Sequence, residues 1–264
     1  MSNCESADGA GRESNEFRFK QFSVKQNDSA MKVNTDGVLL ASWVSVDNDQ
    51  KKGFPCRILD IGTGTGVISL ILAQRLSQKL PLAEFFIEGI DIDKPSSVEA
   101  SFNFKNSPWS EKISSEWISL VGYFQKYGTN KRFELIIANP PFFTSSLRCP
   151  GERRSRARHD HDLPYDEIIE SASLMLAGSG TLALILPPQE SMLFVERARE
   201  IGLMPKRICR VKTLASGKEK RWMIEFGLNY KSSPKEEQIA IQETAGKDFT
   251  SEYKELTKNF YLNF

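Results

Sequence analysis

The tetrapeptide Asn139-Pro140-Pro141-Phe142 carries groups suited to one chemical task, the handling of a planar amine. The Asn139 side chain offers an oxygen acceptor. The Pro140 carbonyl offers a second, in a stretch whose prolines fix φ and withhold N–H donors. An aromatic exocyclic amine is a poor nucleophile because its lone pair is delocalised into the ring. Two acceptors that each take one amine hydrogen draw the nitrogen toward tetrahedral geometry and aim its lone pair at an electrophile. No strong base is required, since the nitrogen becomes acidic once alkylated. Phe142 adds a flat face on which a base stacks, a contact of about 1–3 kcal/mol in nucleic-acid sites, and Pro141 is a further substrate contact. The motif does not choose the amine: adenine N6, cytosine N4, guanine N2 and protein glutamine all suit it.

A second constellation is Asp60-Ile61-Gly62-Thr63-Gly64-Thr65-Gly66, a strand running into alternate glycines and then a helical pattern. Glycines there let the backbone turn tightly and approach a ligand with no Cβ in the way. A dinucleotide site wants G-x-G-x-x-G, but here the third glycine comes one position early and residue 67 is Val. The D-x-G-x-G-x-G form is similar to motif I of the class I methyltransferases. That likeness implies S-adenosyl-L-methionine, with Gly62, Gly64 and Gly66 along it and Asp60 near its charged amino group. Asp91 lies 25 positions after Gly66, at the end of the next strand, where a carboxylate accepts ribose hydroxyls. Asp93 is the alternative, and Asp91 is favoured because it lies nearer the strand end.

Apolar periodicity supplies the elements that must position these residues. Short apolar runs at 57–61, 85–90, 117–121, 135–138, 181–186, 207–211 and 222–230 alternate with helical spacing at 67–76, 96–104, 165–176 and 191–201. Gly178 and Gly202 fall where two helices need left-handed caps. The rhythm predicts an α/β fold with a seven-stranded, mostly parallel sheet and an antiparallel last strand, and the likeness to motif I implies that this is the class I methyltransferase (Rossmann-like) fold. The fully apolar run 135–138 reads as a central strand that delivers Asn139 to the sheet's carboxyl edge. Residues 231–247 are polar and read as a solvated loop, and 253–264 as a helix that docks back.

The chain has 264 residues and a formal net charge of +1, so it is no indiscriminate polycation. The expectation is a disordered start over 1–16 and one domain over 17–264, with 17–50 as an N-terminal segment and 231–264 as a C-terminal loop and helix. Cys4, Cys56, Cys149 and Cys209 lie 52, 93 and 60 positions apart, which suits reduced thiols and neither a zinc site nor a disulfide framework. Without a signal peptide or a membrane-length apolar run, the expected location is cytoplasmic.

Residues 19–24, 30–37, Asn106-Ser107-Pro108-Trp109 and Phe260-Tyr261-Leu262, taken with the two motifs, resemble the bacterial tRNA1(Val) adenine-37 N6-methyltransferases. The likeness covers most of the chain from Phe17 and is weaker between Leu203 and Phe249. It implies that the substrate is the adenine 3′ of the anticodon in a valine tRNA and that the segment of Lys32 to Gly37 covers the cofactor. Lys32, Thr35 and Asp36 are then cofactor contacts, while Thr35 or Asp36 equally suits the cap of a helix over 38–44. Relatives carry an acidic residue after the third strand for the cofactor adenine. Here Gly122-Tyr123 stands there, with Tyr123 as the candidate contact.

Arg148, Arg153, Arg154, Arg156 and Arg158 follow the tetrapeptide and suit phosphates and unpaired bases, although a solvated charged loop shows the same composition. A basic run from Lys206 to Arg221 is a candidate secondary phosphate contact. His159 and His161 do not make a metal site, and no metal is expected. The expected partner is tRNA, bound by a monomer with no membrane. Rival readings are methylation of DNA adenine, ribosomal guanine N2 or protein glutamine, or a non-catalytic RNA-binding protein of the same fold.

Overall fold

The computed structural model describes residues 15–46, 56–79, 84–141, 163–246 and 248–264. A short hairpin of β1 (Glu16–Arg18) and β2 (Ser23–Lys25) precedes α1 (Thr35–Trp43). Alternation then begins with β3 (Cys56–Ile61), α2 (Val67–Lys79), β4 (Phe85–Asp91), α3 (Lys94–Lys105), β5 (Ile113–Trp117), α4 (Leu120–Tyr127) and β6 (Phe133–Ala138). It continues through α5 (Leu163–Met175), β7 (Leu176–Leu186), α6 (Pro188–Glu200), β8 (Leu203–Leu214), β9 (Glu219–Leu228), β10 (Lys235–Gln242) and α7 (Ser251–Thr257).

The main sheet has eight strands in the order β10-β8-β9-β7-β6-β3-β4-β5. The chain winds outward from β3 to β5, then returns to lay β6 on the other side of β3, so the strand order reverses between β3 and β6. Ligands of open α/β sheets bind at the carboxyl ends beside such a reversal. Helices cover both faces. Val38, Leu70, Ala100 and Tyr253 belong to the apolar core on one face, and Leu120, Ile169 and Phe194 to that on the other. Leu135, Ile136 and Ile137 of β6 are at most 3% exposed. At about 1.5–3 kcal/mol for each buried side chain, the strand that ends at Asn139 is a fixed part of the frame.

The expected antiparallel strand is β9, which lies between β7 and β8. Elsewhere the structure departs from the expected elements. The segment expected as a loop over 231–247 contains β10, which pairs parallel with β8 and forms the sheet edge. Its polar composition is what an edge strand tolerates, and only Ile239 of it is buried in the core. The apolar run at 117–121 is split, because β5 stops at Trp117 and Ser119 caps α4, its side chain accepting from Gly122 N. Gly178 lies within β7 and caps no helix, whereas Gly202, at φ 83°, does follow α6 in the left-handed region.

Candidate active site

Sheet register brings the motif residues together. Ile61 pairs with Ala138 on one side and with Ile90 on the other. Gly62, Asn139 and Asp91 therefore leave three adjacent strands side by side. Beyond the strand ends lies a cavity of about 370 Å3, lined by the 62–65 loop, Asp91, Asn139, Pro140 and Pro141.

The three glycines of the loop all have positive φ, at 69°, 56° and 84°, but do different work. A Cβ on Gly62 would meet nothing within 4 Å, so its face is open to the cavity. A Cβ on Gly66 would lie 2.4 Å from the Phe104 ring. Gly66 does not line the cavity; it lets α2 begin against α3. The Gly62 and Thr63 amides donate to the Ile90 carbonyl at 2.9 and 3.0 Å. Asp91 fixes the loop from the side, with Oδ2 accepting from Gly64 N and Oδ1 from Asp93 N, both at 2.8 Å. The Asp93 carboxylate caps α3, accepting from Ser96 N at 3.0 Å and Ser96 Oγ at 2.6 Å.

Asp60 is fully buried and does not itself line the cavity. Its Oδ2 accepts from Thr63 Oγ1 at 2.8 Å and Ser69 Oγ at 2.7 Å, while Oδ1 has no partner among the described residues. Burial pushes this carboxyl up to about 6 against the opposing pull of the Ser69 and Thr63 hydroxyls.

Residues 30–37 form the opposite wall of the cavity through Ala30, Met31, Lys32, Asn34 and Gly37. Asn34 caps α1, its Oδ1 accepting from Gly37 N at 2.9 Å, in place of the expected Thr35 or Asp36. Thr35 and Asp36 lie outside the lining, and Asp36 is ion-paired with Arg221 at 2.8 Å. A Cβ on Gly37 would sit 3.7 Å from Asn139 Nδ2, so the first turn of α1 abuts the catalytic candidate. Neither Asn34 nor Gly37 stood out in the sequence, although Asn three residues before Gly at a helix start was a legible cap.

Tyr123 is not at the cavity. It is fully buried, and its hydroxyl donates to Glu88 at 2.8 Å. Burial and the Glu88 carboxylate raise its pKa far above the ordinary phenol value. Because β5 ends early, the residues that follow the third strand into the cavity are Ile118, Ser119 and Leu120. Ile92, 76% exposed, and Ile168 add apolar wall that the motifs did not reveal.

Phe142 and the arginines at 148, 153, 154, 156 and 158 lie outside the described residues, as do His159 and His161. Three arginines of the second basic stretch are ion-paired within the chain. Arg207 pairs with Glu237 at 2.8 Å, Arg210 with Glu236 at 2.6 Å and Arg221 with Asp36. Lys218 and Lys220 remain exposed. Cys56 and Cys209 are buried free thiols, each pushed up to about 12 by burial. Among the described residues no group of three or more His, Cys, Asp or Glu is placed to hold a metal, and no helix is long and apolar enough to cross a membrane.

The cavity matches S-adenosylmethionine in chemistry. It offers a carboxylate for ribose hydroxyls, apolar side chains for a purine and a glycine face open to a ligand. Asp60, bonded to Thr63 of the wall, has an unpartnered oxygen that suits a cation.

Comparison with known proteins agrees. Residues 29–194 match the family described as methyltransferase small domain. The chain is 39% identical over 246 residues to a tRNA1(Val) (adenine(37)-N6)-methyltransferase of Flavobacterium psychrophilum, covering 93% of this chain and 99% of that one. It is 38% identical over 250 residues to the protein of the same description in Trichodesmium erythraeum, covering 95% and 99%. Among solved structures, a predicted O-methyltransferase from Agrobacterium tumefaciens superposes with a TM-score of 0.63 at 20% identity, over 85% of this chain and 96% of that one. This last likeness concerns the fold, which is that of the class I methyltransferases.

Proposed function

The chain belongs to the methyltransferase small domain family and matches tRNA1(Val) (adenine(37)-N6)-methyltransferases over nearly its whole length, and from this we propose that it methylates N6 of the adenine 3′ of the anticodon in a valine tRNA. S-adenosylmethionine, when bound, supplies an electrophilic methyl group. The observation that carries the reading is the register that sets Asn139 beside Gly62 and Asp91 at one cavity.

In this proposal Asp91 holds the ribose hydroxyls, and Ile92, Ile118 and Leu120 enclose the adenine ring of the cofactor. Gly62 and Gly64 follow its methionine portion, and Asp60 complements its ammonium through the free Oδ1. Lys32 and Asn34 close the wall over it. Asn139 Oδ1 and the Pro140 carbonyl each accept one hydrogen of the target amine and orient its lone pair. Phe142 stacks on the target base, Pro141 packs beside it, and Arg153, Arg154, Arg156 and Arg158 meet RNA phosphates. In this proposal the protein acts as a monomer, and the natural setting is the cytoplasm.

The test uses labelled S-adenosylmethionine and total tRNA lacking the anticodon-loop modification. The protein is expected to label one valine isoacceptor. Asn139→Ala should bind S-adenosylhomocysteine with affinity close to the parent yet lose at least about 100-fold in turnover, the scale of removing one positioned hydrogen-bonding group. Labelling of DNA, ribosomal RNA or protein, or near-normal turnover by Asn139→Ala, contradicts the proposal.

A further inference from the structure

Residues 26–34 form neither helix nor strand, yet their far end builds one wall of the cofactor cavity. Their position is set by side chains, and most of these come from one face of α3. Glu99, 4% exposed, accepts from three consecutive backbone amides: Asn27 at 2.7 Å, Asp28 at 3.2 Å and Ser29 at 2.8 Å. Asn103, one turn further on, accepts from Lys25 N and donates to the carbonyls of Lys25 and Thr65, all at 2.9 Å. Ser96, nearly one turn earlier, accepts from Ala30 N at 3.3 Å and shares a hydrogen bond with Ser29 Oγ at 3.1 Å. Gln26 closes the neck of the segment, its Oε1 accepting from Val33 N at 2.8 Å.

The same helix face reaches the ribose side of the cavity. Ser96 donates to Asp93, whose amide donates to Asp91. A carboxylate that takes three amide donors makes charge-assisted bonds, stronger than neutral ones, and its loss would leave the buried Ser29 amide and the half-buried amides of Asn27 and Asp28 without that acceptor.

We propose that Glu99 is a positioning residue for the cofactor: its carboxylate gathers the amides of residues 27–29 and so sets the cavity wall formed by Ala30 to Asn34. It touches neither cofactor nor substrate. The inference rests on the S-adenosylmethionine reading of the cavity and adds to it a residue remote from both motifs.

The test is calorimetric titration of the full chain with S-adenosylhomocysteine, together with steady-state kinetics. Glu99→Gln keeps the shape but removes the charge. It should weaken S-adenosylhomocysteine about tenfold, the effect of losing about 1.4 kcal/mol of hydrogen bonding, and raise the KM for S-adenosylmethionine similarly, with much smaller changes in kcat and in KM for tRNA. Hydrogen exchange should show that ligand protects the amides of residues 27–34 less in the variant than in the parent. Glu99→Asp, which keeps the charge but withdraws the carboxylate by one methylene, covers the case in which Glu99→Gln does not fold, and should weaken the ligand about threefold. Ligand affinity within about 1.5-fold of the parent in a folded variant overturns the inference, as does a fall in kcat with KM unchanged. A parent protein that fails to bind S-adenosylhomocysteine refutes the cofactor reading instead.

Discussion

Asp60 is the residue whose behaviour depends most on what stands beside it. Burial raises its carboxyl to about 6, above the ordinary 3.8, so the fold favours the neutral form. The sign follows directly: this group's contribution to stability is present at low pH and is lost as pH rises through about 6. A cation against Oδ1 reverses that preference, because it stabilises the ionised form and lowers the pKa. Cofactor binding near pH 6 should therefore release a proton, and affinity for S-adenosylhomocysteine should fall as pH drops from about 7 to about 5. Asp60→Asn should flatten that profile. An unchanged profile in the variant, or affinity independent of pH in the parent, removes Asp60 from the ammonium site. Asp60 itself was legible as the aspartate that opens the glycine motif, whereas its unpartnered oxygen follows only from the packing around Thr63 and Ser69.

Between elements, the two outer glycines of the loop separate binding from packing. Gly62 faces open space and Gly66 faces the Phe104 ring of α3, although the sequence presents them as equivalent. Both have positive φ, so an alanine at either strains the backbone by about 1–2 kcal/mol. Only at 66 does the new methyl also collide with a buried ring, at a further cost of about 1–3 kcal/mol. Gly66→Ala should thus lower Tm by several degrees more than Gly62→Ala, while Gly62→Ala should show the larger loss of cofactor affinity. Equal Tm values would refute the packing role. Periodicity located the parallel core strands and their helices because buried elements leave strong patterns. It misplaced the third-strand end, where Trp117 to Val121 is apolar on both sides of a helix cap. That one error put Tyr123 where Ile118 to Leu120 line the cavity. It also missed β10, an edge strand in which only Ile239 is buried and which carries little apolar signature.

Across the whole molecule, the segment of Phe17 to Lys20 meets the last helix and the residues after it. Phe19 bridges to Tyr261, Lys20 N donates to the Phe260 carbonyl at 2.8 Å, and Phe17, Phe19, Tyr253, Tyr261 and Phe264 form one aromatic cluster. This anchors β1 and β2, from which the chain runs along α3 into the cofactor wall. Sequence reading caught the importance of both terminal stretches through family resemblance but gave no physical reason for it; the contact between them is long-range and leaves no periodic trace. A near-neutral molecule must bind RNA through local charge, and Arg207, Arg210 and Arg221 are already ion-paired within the chain. Nucleoside mass spectrometry reads the amine, the base and the RNA together. After incubation with S-adenosylmethionine, digestion of the unmodified valine tRNA should yield N6-methyladenosine confined to the fragment holding the adenine 3′ of the anticodon. N2-methylguanosine, methylation elsewhere in the tRNA, or an unmodified digest would contradict the proposed function.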